Sequence, residues 1–233
     1  MTNYTVGIIG AMEPEVEILK QSMLIEKEEK IAHTTAYIGT LNGQNIVLVQ
    51  SGIGKVNASI ITALILERYD IDYIINTGVA GAMGKDLKVT DMVVSTEVAH
   101  HDVDAMNFGY SYGQVPGMPA VYTSDDMLVR QTLAALSLND EINGSSGLVV
   151  SGDSFIDSDA KKNHIYENFS NAMCVDMESS SIAQTCWQFE TPFVIIRSMS
   201  DSADDTADMN YEEFLAKACV HSSEVVKSVL REL

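Results

Sequence analysis

Positive charge is scarce in this chain. Its 14 lysines and arginines stand against 33 aspartates and glutamates, a formal net charge of -19 over 233 residues. A surface this acidic repels phosphodiester backbones and anionic headgroups, which argues against nucleic-acid and membrane partners. Cysteine is rarer still: Cys174, Cys186 and Cys219 lie far apart in apolar segments. A zinc motif needs closer pairs, and a disulfide scaffold needs an even count. Free, buried thiols in a reducing cytosol are therefore expected, which makes the reading cytoplasmic. No apolar run reaches the length of a bilayer crossing, and no opening stretch couples basic residues to an apolar core as signal peptides do. Linkers, repeats and low-complexity tracts are absent too, so residues 1–233 are read as one domain with a sizeable core.

What the chain does contain is an alternation of strand and helix patterns. A buried strand at 5–11 leads into a helix opened by Pro14, with Val16, Leu19 and Met23 as its apolar stripe. Residues 26–30 read as a charged surface break. Segments 36–41 and 44–49 flank Asn42-Gly43, the strongest short-range signal for a tight hairpin. Further helices are expected at 55–68, 124–136, 159–168, 177–188 and 211–233, and further strands at 73–77, 92–98, 147–150, 173–175 and 192–199. Residues 100–123, rich in Gly, Pro and Tyr, form a long loop of the kind that is usually functional or interfacial. Crossover helices imply an α/β fold, with a central mixed, mostly parallel sheet flanked by helices.

Strands in this chain repeatedly run into acids. Segment 6–10 is followed by Glu13 and Glu15, 148–152 by Asp153, 173–175 by Asp176 and Glu178, and 193–197 by Asp201. In open α/β sheets, ligands bind beyond the carboxyl ends of the strands. Carboxylates crowded there cost Coulomb energy unless they serve a cation, a metal or a proton transfer. Glu15 and Glu178 fall in first helical turns, where unpaired amides favour the ionised form. The Gly-rich run Ser51-Gly52-Ile53-Gly54-Lys55 lacks both the Walker spacing and the full dinucleotide fingerprint. Its glycines, like those of Asn76-Thr77-Gly78-Val79-Ala80-Gly81, suit a turn as well as a close ligand. His100-His101-Asp102-Val103-Asp104 has metal-ligand residue types, but neighbours on an extended segment face opposite ways. Hydrogen-bonded loop residues are expected there, with no metal site and no cofactor.

Several segments together resemble the 5′-methylthioadenosine/S-adenosylhomocysteine nucleosidases over nearly the whole chain. They are Gly7-Ile8-Ile9-Gly10-Ala11-Met12-Glu13, Ser51 to Val56, Ile75-Asn76-Thr77-Gly78, Phe108-Gly109-Tyr110 with Tyr112-Gly113-Gln114, Val150-Ser151-Gly152-Asp153, Asp176-Met177-Glu178, and Arg197-Ser198-Met199-Ser200-Asp201. Their order and spacing make the likeness specific, and the wider nucleoside phosphorylase superfamily shares only part of it.

The resemblance implies a nucleoside phosphorylase-like fold. It also implies hydrolysis of the N-glycosidic bond of a 5′-thio-substituted adenosine, with 5′-deoxyadenosine a further candidate substrate. The products are adenine and a thioribose, as methionine salvage and methyl-cycle detoxification require. It makes Asp201 the acid that protonates adenine N7, oriented by Ser200, and Glu15 the base that activates water. Glu178 would accept hydrogen bonds from the ribose, with Met177 against the sugar. Phe155 would stack on the purine, backbone at Ile156 would pair with its edge, and Arg197 would hold Glu15. Met12, Ile53 and Tyr211 would wall the 5′-alkylthio pocket, Val79 would lie near the water and sugar, and Gly81 would be among the substrate-binding residues. Phe108 and Pro116 would reach a neighbouring subunit's pocket, implying a homodimer. Two positions depart from the pattern. Val79 replaces a frequent Ser, and Asp176 is shorter than the frequent Glu and is given only a weak supporting role.

Three rivals stand beside this reading. A phosphate-dependent purine nucleoside phosphorylase needs Arg or Lys around its anion, and the turn at 78–81 has none. A non-catalytic nucleoside sensor needs stacking residues but no base opposite an acid. A dinucleotide-dependent oxidoreductase is disfavoured by the incomplete glycine fingerprint.

Overall fold

The computed structural model describes residues 3–84, 86–138, 142–204 and 207–233, with their side chains except those of 208–210. Strand β1 (Thr5–Gly10) is apolar on both faces, as a strand buried between helix layers must be. It pairs in parallel with β4 (Gln44–Gln50) and β5 (Tyr73–Ala82), and β5 pairs in parallel with β10 (Phe193–Asp201). All four strands therefore end along one edge of the sheet. Helices α1 (Glu13–Ser22), α3 (Asp126–Ser137) and α6 (Ala207–Glu232) lie on one side; α2 (Lys55–Arg68) and α5 (Ser179–Gln188) pack on the other. Side-chain parity decides which face each residue feeds. Val6, Ile8, Ile46, Leu48, Ile75, Val194 and Ile196 fill one core; Ile9, Val47, Val49, Ile74 and Ile195 fill the other.

Beyond β5 the sheet curls round on itself. β10 pairs antiparallel with β6 (Met92–His100), β6 pairs in parallel with β8 (Gly144–Ser151), and β8 in parallel with β9 (Ala172–Asp176). The last residues of β5, Gly81 and Ala82, pair antiparallel with Val175 and Cys174 of β9, which closes a five-stranded ring. Ala80, Ala82, Val93, Val149, Cys174 and Met199, drawn from all five strands, form one cluster. Small side chains suit so narrow a barrel. The sheet is thus mixed, as expected, but partly closed instead of open. Helix α4 (Asp159–Asn168) covers the ring near β8, and β7 (Tyr122–Thr123) adds a short pairing to β6.

The other end of the sheet is an antiparallel arm formed by β3 (Thr34–Leu41) and β2 (Leu24–Ile31) beside β4. Asn42 and Gly43 take φ of 50° and 90°, the doubly positive turn that a two-residue hairpin uses. The surface break expected at 26–30 is instead the middle of β2. As an edge strand it is solvated on both faces, so its charged residues show no alternation and discourage edge-to-edge pairing. The segment 101–121 has little regular structure beyond a single helical turn at Met106–Phe108, in keeping with a long loop. The three cysteines are buried and free. Among the described residues no helix is long and apolar enough to cross a membrane.

Candidate active site

At the shared edge of β1, β5, β9 and β10 lies a cavity of about 460 Å³, within the range of small-molecule sites. Glu15, Asp201, Glu178, Met177, Phe155, Ser200, Met12, Ile53, Val79, Gly81 and Tyr211 all line it. Ile156 lines a small side pocket that shares Phe155, Met177 and Asp201 with the main cavity. Residues from seven separated segments therefore converge. Arg197 does not line the cavity but lies buried behind it, and Phe108 and Pro116 are exposed on the loop at 101–121.

Glu15 owes its place to the abrupt passage from β1 into α1. Pro14 opens that helix, and Glu15 folds back over its first turn. Its Oε2 accepts the amides of Ala11 at 2.7 Å and Met12 at 2.8 Å, while Oε1 accepts the Val79 amide at 3.0 Å. Burial raises its pKa, and the nearby Arg197 charge and these three amides offset only part of the rise. Each of these partners donates, so both oxygens are held as acceptors. A Cβ at Gly78 would lie 2.5 Å from Glu15 Oε1 and 2.6 Å from Arg197 Nη1. The glycine thus makes room for the acid and the guanidinium.

Asp201 ends β10 on the far wall of the cavity. Its Oδ2 accepts from the Ser200 hydroxyl at 2.8 Å, and its Oδ1 from the Ala203 amide at 2.8 Å. Burial raises its pKa above the usual carboxylate range, helped by the Asp204 charge and opposed by the Ala203 amide, Ser200 and Lys162. Desolvation of this kind favours a protonated acid. Gly81 is required beside it, because a Cβ there would lie 2.8 Å from Asp201 Oδ1.

Glu178 stands just ahead of α5, with Oε1 accepting the Gly54 amide at 2.9 Å. Burial, reinforced by the Asp176 charge, pushes its pKa up to about 8. The Gly-rich run at 51–55 therefore carries an amide to this carboxyl, in a fold that gives Gly54 a φ of 95°. Tyr211 donates to Met12 Sδ at 3.1 Å and meets Phe155 edge-on at 5.9 Å between ring centres, which forms an apolar end to the cavity.

Two acid-bearing motifs turn away from the cavity. Asp153 Oδ1 accepts the Lys55 amide at 2.7 Å, Lys55 Nζ pairs with Asp102 at 2.5 Å, and Asp102 Oδ2 accepts the Asp153 amide at 3.0 Å. This knot ties the loop of Ile53 to that of Phe155. His100 bonds to Gln184 and Ser180, and burial keeps its pKa low. Among the described residues no three His, Cys, Asp or Glu side chains are grouped to hold a metal ion. Ala11, Ala80, Val175 and Asp176 also line the cavity. The first three are small or apolar and carry no chemical signal in sequence. Asp176 does carry one, as an acid directly at a strand end.

These features define a class, and the comparisons agree: the family model of the Phosphorylase superfamily matches residues 5–231. A 5′-methylthioadenosine/S-adenosylhomocysteine nucleosidase of Staphylococcus epidermidis is 48% identical over 98% of this chain and 100% of its own length. The nucleosidase of Neisseria meningitidis, solved with methylthio-immucillin-A, superposes with a TM-score of 0.97 at 46% identity, covering 99% of this chain and 100% of that one. That of Colwellia psychrerythraea, solved with adenine, gives 0.97 at 43% identity over 100% and 96%. The chain belongs to the 5′-methylthioadenosine/S-adenosylhomocysteine nucleosidase family.

Proposed function

We propose that this protein hydrolyses the N-glycosidic bond of 5′-methylthioadenosine and S-adenosylhomocysteine, with Asp201 as acid and Glu15 as base. Cleavage sends the bonding electron pair to the purine and leaves positive charge on the ribose. Protonated Asp201 gives its proton to adenine N7, so that adenine departs neutral, and Ser200 holds the carboxyl in line. On the other face of the sugar, Glu15 takes a proton from water as the water oxygen bonds to the anomeric carbon. Preorganised negative charge then stabilises the cation where it develops. Each proton transfer contributes on the order of 10²–10⁴-fold. Glu178 binds the ribose hydroxyls, Met177 packs on the sugar, Phe155 stacks on the base beside the Ile156 backbone, and Val79 and Gly81 border the site. Met12, Ile53 and Tyr211 receive the alkylthio tail. Arg197 acts through Glu15 and does not touch substrate.

One observation carries this reading. Two buried carboxyls, Asp201 held by Ser200 and one amide and Glu15 held by three amides, open into the same nucleoside-sized cavity. A phosphorylase would need cations for its anionic co-substrate, and no Lys or Arg is among the lining residues. The deciding assay is adenine release from 5′-methylthioadenosine in phosphate-free buffer. Full activity without phosphate is expected, and strict dependence on phosphate would overturn the assignment.

The protein also acts as one domain over 1–233, in the cytoplasm, as a homodimer whose Phe108 and Pro116 approach the neighbouring site. Support comes from the 83% exposed Phe108 and from exposed Ile53, Val56, Ile60, Trp187 and Phe189, a set of large apolar side chains that water leaves unsatisfied.

A further inference from the structure

Arg197 keeps only 1% of its surface exposed, so its charge needs a buried counter-ion. Asp176, at the end of β9, supplies it. Arg197 Nε donates to Asp176 Oδ2 at 2.5 Å, and Nη2 donates to Asn76 Oδ1 at 2.6 Å and Ser179 Oγ at 2.9 Å. The same carboxylate holds the start of α5. Its Oδ1 accepts from the Ser151 hydroxyl at 2.5 Å and from the amides of Glu178 at 3.3 Å and Ser179 at 3.2 Å, while Oδ2 accepts the Ser179 hydroxyl. Both oxygens are thus committed to the protein. Asp176 borders the cavity without an oxygen to spare for a ligand.

We propose that Asp176 is the positioning residue for the sugar end of the site: it fixes Arg197 behind Glu15, fixes the backbone of Glu178, and thereby sets whether Glu178 meets the ribose as proton donor or acceptor. This deepens the function proposed above and rests on its reading of Glu178. The argument is one of charge and place. Three buried carboxyls, Glu15, Asp176 and Glu178, share one guanidinium. Asp176 takes the direct ion pair, so Glu178 is left with the Gly54 amide, and burial favours its protonated form. Facing Glu178 are Asp176 from β9, Arg197 from β10, Glu15 from α1, the Gly54 amide ahead of α2, and Tyr211 from α6, whose pKa burial pushes up to about 12. With Asp176 ionised, burial and the Asp176 charge hold the Glu178 pKa near about 8. Removing the Asp176 charge takes a like charge away from Glu178 and leaves the guanidinium to Glu15 and Glu178 alone, and an opposite charge at such range lowers a carboxyl by about 1–3 pH units.

The test is a carboxyl-carbon NMR titration of the full chain with labelled glutamate, using Glu178→Gln to assign the resonance. In wild type, Glu178 should titrate near about 8. In Asp176→Asn it should titrate lower by about one unit or more, and kcat/KM for 5′-methylthioadenosine should fall about 10²-fold. Asp176→Glu keeps the charge and should leave the titration within about half a unit of wild type, with activity above that of the amide variant. A folded Asp176→Asn with an unmoved titration overturns the proposal. If that variant does not fold, Asp176→Glu decides alone: an unmoved titration supports the role, and a displacement of about one unit or more overturns it. The expected titrations with no adenine release from wild type would instead refute the proposed function and leave this role standing.

Discussion

At the scale of the residue, the site works by giving its carboxyls different surroundings. Asp201 and Glu15 are both buried, yet the first accepts one amide and the second three. Burial raises the pKa of both, and in the proposed mechanism the difference in amides sets the proton acceptor apart from the proton donor. Asp201→Asn should lower kcat about 10²–10⁴-fold while a substrate analogue still binds, as stopped assays and calorimetry would show. The sign of the pH dependence follows from the raised pKa of Asp201: the acid is active when protonated, so kcat/KM should fall about tenfold per pH unit once pH passes that pKa. Glu178 makes a stability prediction. Its pKa of about 8 in the fold lies above the unfolded value of about 4.3, so its contribution is complete below the unfolded value and lost as pH rises through the folded one. Glu178→Gln should therefore melt progressively higher than wild type as pH is raised from about 5 to about 9, and parallel melting curves would refute the assignment. The acids were legible in sequence because each follows a strand. Which of them would saturate itself with protein partners was not, since Asp176 and Asp153 carry the same local pattern as Asp201.

Among the elements, the helix starts do the positioning. Gly54 precedes α2 and offers no side chain to cap it, and the Asp153 carboxylate from a distant loop accepts the Lys55 amide in its stead. Asp153→Ala should cost about 0.5–2 kcal/mol in urea unfolding, whereas Asp153→Asn, which keeps an acceptor, should cost less. The helices and the Asn42-Gly43 hairpin could be read from period and turn chemistry, which are local. Strand β2 could not, because a strand solvated on both faces loses the alternation that announces it. The closure of the ring was hidden for another reason. It depends on the pairing of Gly81 and Ala82 with β9, between residues about ninety positions apart, and no local pattern encodes that.

For the whole molecule, surface composition matters most. A net charge of -19 keeps copies apart at low salt, while exposed Phe108, Val56, Ile60 and Trp187 invite association. Sedimentation should show a dimer that tightens with ionic strength. Phe108→Glu should weaken both the dimer and kcat/KM, and a monomeric wild type of full activity would contradict the proposed assembly.

The most direct test of the account is a crystal structure with a non-cleaved 5′-thioadenosine analogue. An Asp201 oxygen should lie within about 3 Å of adenine N7, with a water between Glu15 and the anomeric carbon on the opposite face. An adenine seated away from Asp201, or a ribose whose far face does not look toward Glu15, would contradict it.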